Sequence, residues 1–191
     1  MTAVSASQRT LALIDVQNEY IAAGRPFCLA GIGPSLENCR RLLSHARQAG
    51  ARIIHVKHVG DGPVFRRDSR ESAFIDGFEP RSGEISIEKS KLSCYSNPVF
   101  AELLDEAAPG AVYVAGYGST MCCMATVVDA PLFGHKLNFV HDASWARASG
   151  DLSEAELHRN AAAIMAIHGV AVTTAAVIDA LASDHPTALA G

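Results

Sequence analysis

The chain has 191 residues, of which 49% are hydrophobic and only 19% charged, a balance that suits one domain with a full core and excludes a disordered chain. Its net charge of -4 offers no general attraction for nucleic acid or an anionic membrane, and no run of lysines and arginines forms a tail for either, so a small-molecule substrate is the expected partner. The five cysteines (Cys28, Cys39, Cys94, Cys122 and Cys123) are odd in number and form no CxxC pair, which argues against a disulfide framework or structural zinc and fits a cytoplasmic location.

Residues 1–8 lack the apolar core of a signal peptide and, with 184–191, are expected to be loose ends of a single domain over 1–191. Arg9 to Asp15 reads as a buried strand that ends on a carboxylate; an acid there either caps a loop or does chemistry. Residues 22–33 are punctuated by glycine and proline. A helix then runs from Pro34 to about Ala49, with Cys39, Leu42, Leu43 and Ala46 on one stripe and Gly50 closing it. Cys39 on that stripe is a packing residue. Arg52 to His58 is a second strand, and its two histidines, three apart, point to opposite faces and so do not share one metal. Residues 59–83 have no clear pattern; the arginines among them, Arg66 included, form either a solvated face or a clamp for a substrate carboxylate.

Glu84 to Lys89 alternates as a third strand, and Asn97-Pro98 opens a helix to Ala107. Ala111 to Ala115 is a buried strand expected to break at Gly116 and Gly118, with Ser119 or Thr120 capping the next helix. Cys122 falls in the first turn of that helix, where the macrodipole is expected to ease its ionisation. Residues 135–142 form another strand ending in an acid, 152–167 a helix, 170–173 a short strand and 174–182 a last helix. Two nearly uncharged stretches, 111–134 and 160–182, are long enough to raise a membrane-spanning reading, but interior glycine, proline, histidine and aspartate residues divide each into strand and helix lengths. Strands alternating with helices predict a three-layer α/β/α, Rossmann-like fold on a mainly parallel sheet.

The carboxyl ends of parallel strands lie on one rim, so Asp15, Lys89 and Cys122 can meet in one cleft. A thiolate there attacks an electrophilic carbon, a carboxylate carries the proton, and an ammonium stabilises anionic partners. Gly116-Tyr-Gly118 at a strand-to-helix turn also raises a dinucleotide-binding reading, but Met121 occupies the third glycine position of that motif. A non-catalytic binding module is the other alternative.

Three stretches carry a more specific signal: LALIDVQNEY with Asp15 and Gln17, IEKSKLSCYSNPVF with Lys89, Ser93 and Tyr95, and VYVAGYGSTMCCMATVVDA with Gly116, Cys122, Thr126 and Asp129. Together the chain resembles the isochorismatase-like cysteine hydrolase superfamily, which includes nicotinamidase, N-carbamoylsarcosine amidase and isochorismatase. The resemblance implies a six-stranded sheet, a homo-oligomer (dimer or tetramer), and Asp15, Lys89 and Cys122 as the catalytic set. It selects Lys89 over Lys91 and Cys122 over Cys123, which is left to the core. It also implies a cis peptide at Tyr117-Gly118 that turns the Gly118 N–H toward the Cys122 N–H as an oxyanion hole. The metal pattern of nicotinamidases does not recur after the second strand, so no metal and no cofactor are expected. A cysteine amidohydrolase acting on a small amide or carbamoyl compound is then the first reading, and a vinyl-ether hydrolase using Asp15 the runner-up. Gln17, Tyr20, Phe27, Phe65, Arg66, Tyr117 and Trp145 are the candidate substrate-binding residues.

Overall fold

The computed structural model describes residues 9–183; the expected loose ends, 1–8 and 184–191, lie outside the described residues. Six strands form one parallel sheet: β1 (Thr10–Ile14), β2 (Arg52–His58), β3 (Ile85–Lys89), β4 (Val112–Tyr117), β5 (Leu137–Trp145) and β6 (Val170–Val172). Their order is β3-β2-β1-β4-β5-β6, so the winding reverses between β1 and β4. In open α/β sheets that reversal opens a crevice beyond the carboxyl ends of the two strands.

Side-chain alternation explains the three layers. On β1, Leu11 and Leu13 face one side while Ala12 and Ile14 face the other, and all are buried, as expected of a strand covered on both faces. The first face packs against α1 (Gly33–Gln48) and α5 (Thr174–Ala182) through Cys39, Leu42, Leu43, Val177 and Leu181. The second packs against α2 (Pro98–Ala107), α3 (Met124–Asp129) and α4 (Glu154–His168) through Phe100, Leu104, Val127, Ala161 and Met165. Each fully buried phenylalanine contributes about 1.5–3 kcal/mol of transfer free energy. Cys39 and Cys123 are both completely buried packing residues.

Helix ends follow local chemistry. Asn97 caps α2 through its side chain, with Pro98 at the first helical position. Ser153 and Glu156 form a reciprocal capping box at α4.

Three boundaries differ from the sequence reading. β4 does not break at its glycines: it runs through Gly116 to Tyr117, because Gly116 adopts φ +116 and passes so close to β1 that a Cβ would lie 2.1 Å from the Ile14 carbonyl oxygen. β5 does not end at Asp142, because that carboxylate is held by the N–H and hydroxyl of Thr174, and the strand continues to Trp145. Neither Ser119 nor Thr120 caps the next helix. Gly118 sits at the cap position, residues Ser119–Cys123 form a single π-type turn before α3, and the Ser119 hydroxyl bonds His158 Nδ1 at 3.0 Å.

Candidate active site

Asp15 is the first residue beyond β1 and takes the left-handed backbone, φ 53, which short polar side chains tolerate. Its N–H donates to the Val56 carbonyl and its carbonyl accepts from Gln17 N–H, both at 2.8 Å, so the loop is pinned on two sides. The carboxylate is fully buried. Oδ2 accepts from Lys89 Nζ at 2.8 Å, whereas Oδ1 has no hydrogen-bond partner among the described residues.

Lys89 ends β3, two strands away, and its side chain crosses the end of β2. The ammonium has three protons and three acceptors: Asp15 Oδ2 at 2.8 Å, His58 Nδ1 at 3.1 Å and the Lys91 carbonyl at 3.2 Å. Because an ammonium only donates, His58 Nδ1 accepts and the imidazole is neutral. Cys122 sits in the π-type turn after β4, and the ligand atoms of Asp15, His58 and Cys122 all lie within 4.8 Å of one another. A carboxylate, an imidazole and a thiol are a donor set that zinc accepts. Here, however, Lys89 Nζ bonds two of the three, so its ammonium is the cation of the cluster.

The electrostatics follow from this crowding. Burial is the largest single influence on Lys89 and lowers it, but the charge and hydrogen bond of Asp15 together with the neighbouring Cys122 and Cys94 outweigh it, and the ammonium is held well above the usual lysine range. The Cys122 thiol moves the opposite way from the sequence expectation: burial first, then the Asp15 charge, push it strongly up, and Lys89 offsets this only in part. In this closed site the thiol therefore rests protonated. Burial, the largest influence on the thiol, is what position at the start of a helix does not report.

Aromatic rings wall the cluster. Tyr20 lies 5.4 Å from both Phe65 and Tyr117, Phe27 lies 5.2 Å from Phe65, and Phe65 lies 5.1 Å from the His58 ring. Phe65 has φ 50, unusual for a bulky residue, and its N–H donates to Glu19 at 3.4 Å. Glu19 is completely buried and takes a forked pair of bonds from Arg25 at 2.9 Å each. Glu19 escaped the sequence reading, as did any site role for His58; only the position of His58 at the end of a strand could have signalled one.

Several expected substrate contacts sit elsewhere. Gln17 is braced against backbone: its Oε1 accepts from His58 N–H at 2.8 Å and its Nε2 donates to the His58 and Ser72 carbonyls at 2.9 and 2.7 Å, which leaves no free donor for a substrate. Tyr117 is fully buried on the α1 face, its hydroxyl 3.1 Å from Ser35 Oγ. It supports Tyr20 from behind. Trp145 ends β5, where its indole packs on His158 and donates to Glu154 at 2.8 Å, at the start of α4. The Arg66 side chain is exposed. The Tyr117-Gly118 peptide is cis.

A parallel sheet of this order, with a thiol, a carboxylate and an ammonium at its switch point, fits a cysteine hydrolase on a three-layer α/β/α fold. The chain belongs to the isochorismatase family: the family model for the isochorismatase domain matches residues 9–177. Among its relatives, an isochorismatase family protein of Bacillus subtilis is 30% identical over 136 residues, covering 70% of this chain and 75% of that protein. Maleamate amidohydrolase of Pseudomonas putida is 29% identical over 163 residues, 77% of this chain and 76% of that enzyme. The crystal structure of an isochorismatase from Pseudomonas putida superimposes with a TM-score of 0.82 at 34% identity, covering 89% of this chain and 90% of that one.

Proposed function

We propose that the protein is a cysteine amidohydrolase that cleaves the C–N bond of a small amide or carbamoyl compound through a thioester on Cys122. The observation that carries this reading is the division of labour on Asp15: one carboxylate oxygen is tied to Lys89, the other is unpartnered among the described residues, and the carboxylate comes within 4.8 Å of the thiol. A neutral thiol beside a free carboxylate oxygen is a nucleophile paired with its base.

As Sγ approaches the carbonyl carbon, its proton passes to Asp15 Oδ1, and the N–H groups of Gly118 and Cys122 receive the developing oxyanion. Collapse of the tetrahedral adduct expels the amine, which takes the proton back from Asp15. Water then attacks the thioester, again giving a proton to Asp15, and the acid leaves as the thiol re-forms. Lys89 stays charged throughout and stabilises the carboxylate in its deprotonated turns. The aromatic wall of Tyr20, Phe27 and Phe65 suits a small, flat substrate. Amidohydrolases among the relatives support the same class of bond, maleamate amidohydrolase by its name and ureidoacrylate amidohydrolase, at 22% identity, by its own.

Turnover of a panel containing maleamate, ureidoacrylate, other small amides and isochorismate tests the reading. Cys122→Ala is expected to remove at least about a thousandfold of kcat on the responding amide while leaving the fold intact. A response to isochorismate alone, kept by Cys122→Ala and lost in Asp15→Ala, would replace it with vinyl-ether hydrolysis.

A further inference from the structure

We propose that His58 is a positioning residue that holds the Lys89 ammonium away from the free oxygen of Asp15, so that this oxygen stays open to the Cys122 proton. The inference rests on the Cys122–Asp15 pairing of the preceding reading and adds a fourth residue to it.

A buried ammonium seeks an acceptor for each proton, since leaving one unmade costs the desolvation of that group. Lys89 finds Asp15 Oδ2, the Lys91 carbonyl and His58 Nδ1. Without the imidazole, the third proton can turn to the unpartnered Oδ1 of the carboxylate that Lys89 already holds through Oδ2, or to the Cys122 sulfur, and either choice ties up one member of the thiol–carboxylate pair. In the first case the ammonium engages both carboxylate oxygens and competes with the thiol for its base. His58 is itself held. Gln17 fixes its backbone through both N–H and C=O, and the Phe65 ring packs against the imidazole at 5.1 Å. This gives the buried Gln17 a purpose that a substrate contact does not.

The groups facing the imidazole are Asp15 from β1, Lys89 and the Lys91 carbonyl from β3 and the loop after it, Cys122 from the π-type turn, and the neutral ring of Phe65. Burial, then the charge of Lys89, lowers His58 below the ordinary value of 6.5, with Asp15 and the Lys91 backbone opposing in part. Protonation in acid turns the acceptor into a second cation beside Lys89 and cancels its role.

The test reads the thiol directly. With iodoacetamide, a bond forms from Sγ to the methylene carbon, iodide leaves and the thiol proton passes to Asp15; peptide mapping reports the rate at Cys122. His58→Leu, which fills space without an acceptor, should slow this by about tenfold to a hundredfold, the equivalent of one lost hydrogen bond to a charged group. His58→Gln, with a neutral acceptor that does not titrate, should recover most of the rate and lose the part of the acid limb that belongs to the imidazole. On a responding amide, His58→Leu should lower kcat with KM little changed. Wild-type alkylation rates in folded His58→Leu, or an unchanged acid limb in His58→Gln, would overturn the proposal; if His58→Leu does not fold, the His58→Gln profile decides. An ordered alkylation series without any amide turnover would leave the positioning role standing and remove the amidase reading, whereas normal amide turnover by His58→Leu would do the reverse.

Discussion

A thiol, a carboxylate and an ammonium share a volume nearly closed to water, and each is set by the others. Asp15 keeps Lys89 charged, and Asp15 together with burial keeps Cys122 protonated. On the proposed reading, the nucleophile is stored as a neutral thiol and gives up its proton to Asp15 as it attacks the substrate. The chain itself showed that these residue types stood at three strand ends, but the protonation of Cys122 depends on depth, which spacing does not report. Gly116 is the residue on which the geometry turns. With φ +116 and an Ile14 carbonyl oxygen 2.1 Å from any added Cβ, Gly116→Ala is expected to lower stability by about 3 kcal/mol or more and to spread the seam between β1 and β4. Chemical denaturation measures it; an unchanged midpoint would contradict the close approach.

Among the elements, β3 must deliver Lys89 across the end of β2, and its near end is anchored by a half-buried acid. Glu84 takes bonds from Arg47 Nε and Nη2 of α1 at 2.7 and 3.0 Å, from Arg81 N–H at 2.9 Å, and pairs with His55 Nε2 at 2.8 Å. His55 thus serves the α1 side of the sheet, where it pairs with Glu84 and packs on Phe74. Its hydrogen bond to Arg47, ahead of the other contacts, draws the Glu84 carboxyl down from 4.5 to about 2. A depressed acid stabilises the folded state fully above its ordinary value and loses that contribution as pH falls through the folded one. Between about pH 4.5 and 2 the protein should therefore lose on the order of 1–2 kcal/mol from this network. Melting temperature against pH checks it: Glu84→Gln should start lower and flatten that slope, and an identical slope would count against the network. The strands and helices were largely legible, since burial on both faces writes continuous apolar runs. The extensions of β4 and β5 were not, because a glycine in close backbone approach and an aspartate bonded to a neighbouring helix look, in sequence, like terminators.

At the scale of the molecule, function follows from strand order. Alternation of strands and helices predicts a parallel sheet, and that is enough to bring Asp15, Lys89 and Cys122 to one rim. It does not say that β2 lies between β1 and β3. Only that order places the last residue of β2, His58, beside both the carboxylate and the ammonium. The same gap explains Gln17, whose partners come from β2 and from the long loop after it. It also explains why Tyr117 and Trp145, although close to the nucleophile along the chain or the sheet, turn their side chains into the α1 layer and toward α4. Which aromatic rings stand beside the cluster was thus less readable than the meeting of Asp15, Lys89 and Cys122, because aromatic residues at strand ends fill cores as readily as they line sites.

The thioester is the central claim, and intact-protein mass spectrometry of rapidly quenched mixtures with a responding amide measures it most directly. A mass increment equal to the acyl group, located on Cys122 and absent from Cys122→Ala, is the predicted result; full turnover with no increment at any quench time and undiminished activity in Cys122→Ala would contradict it.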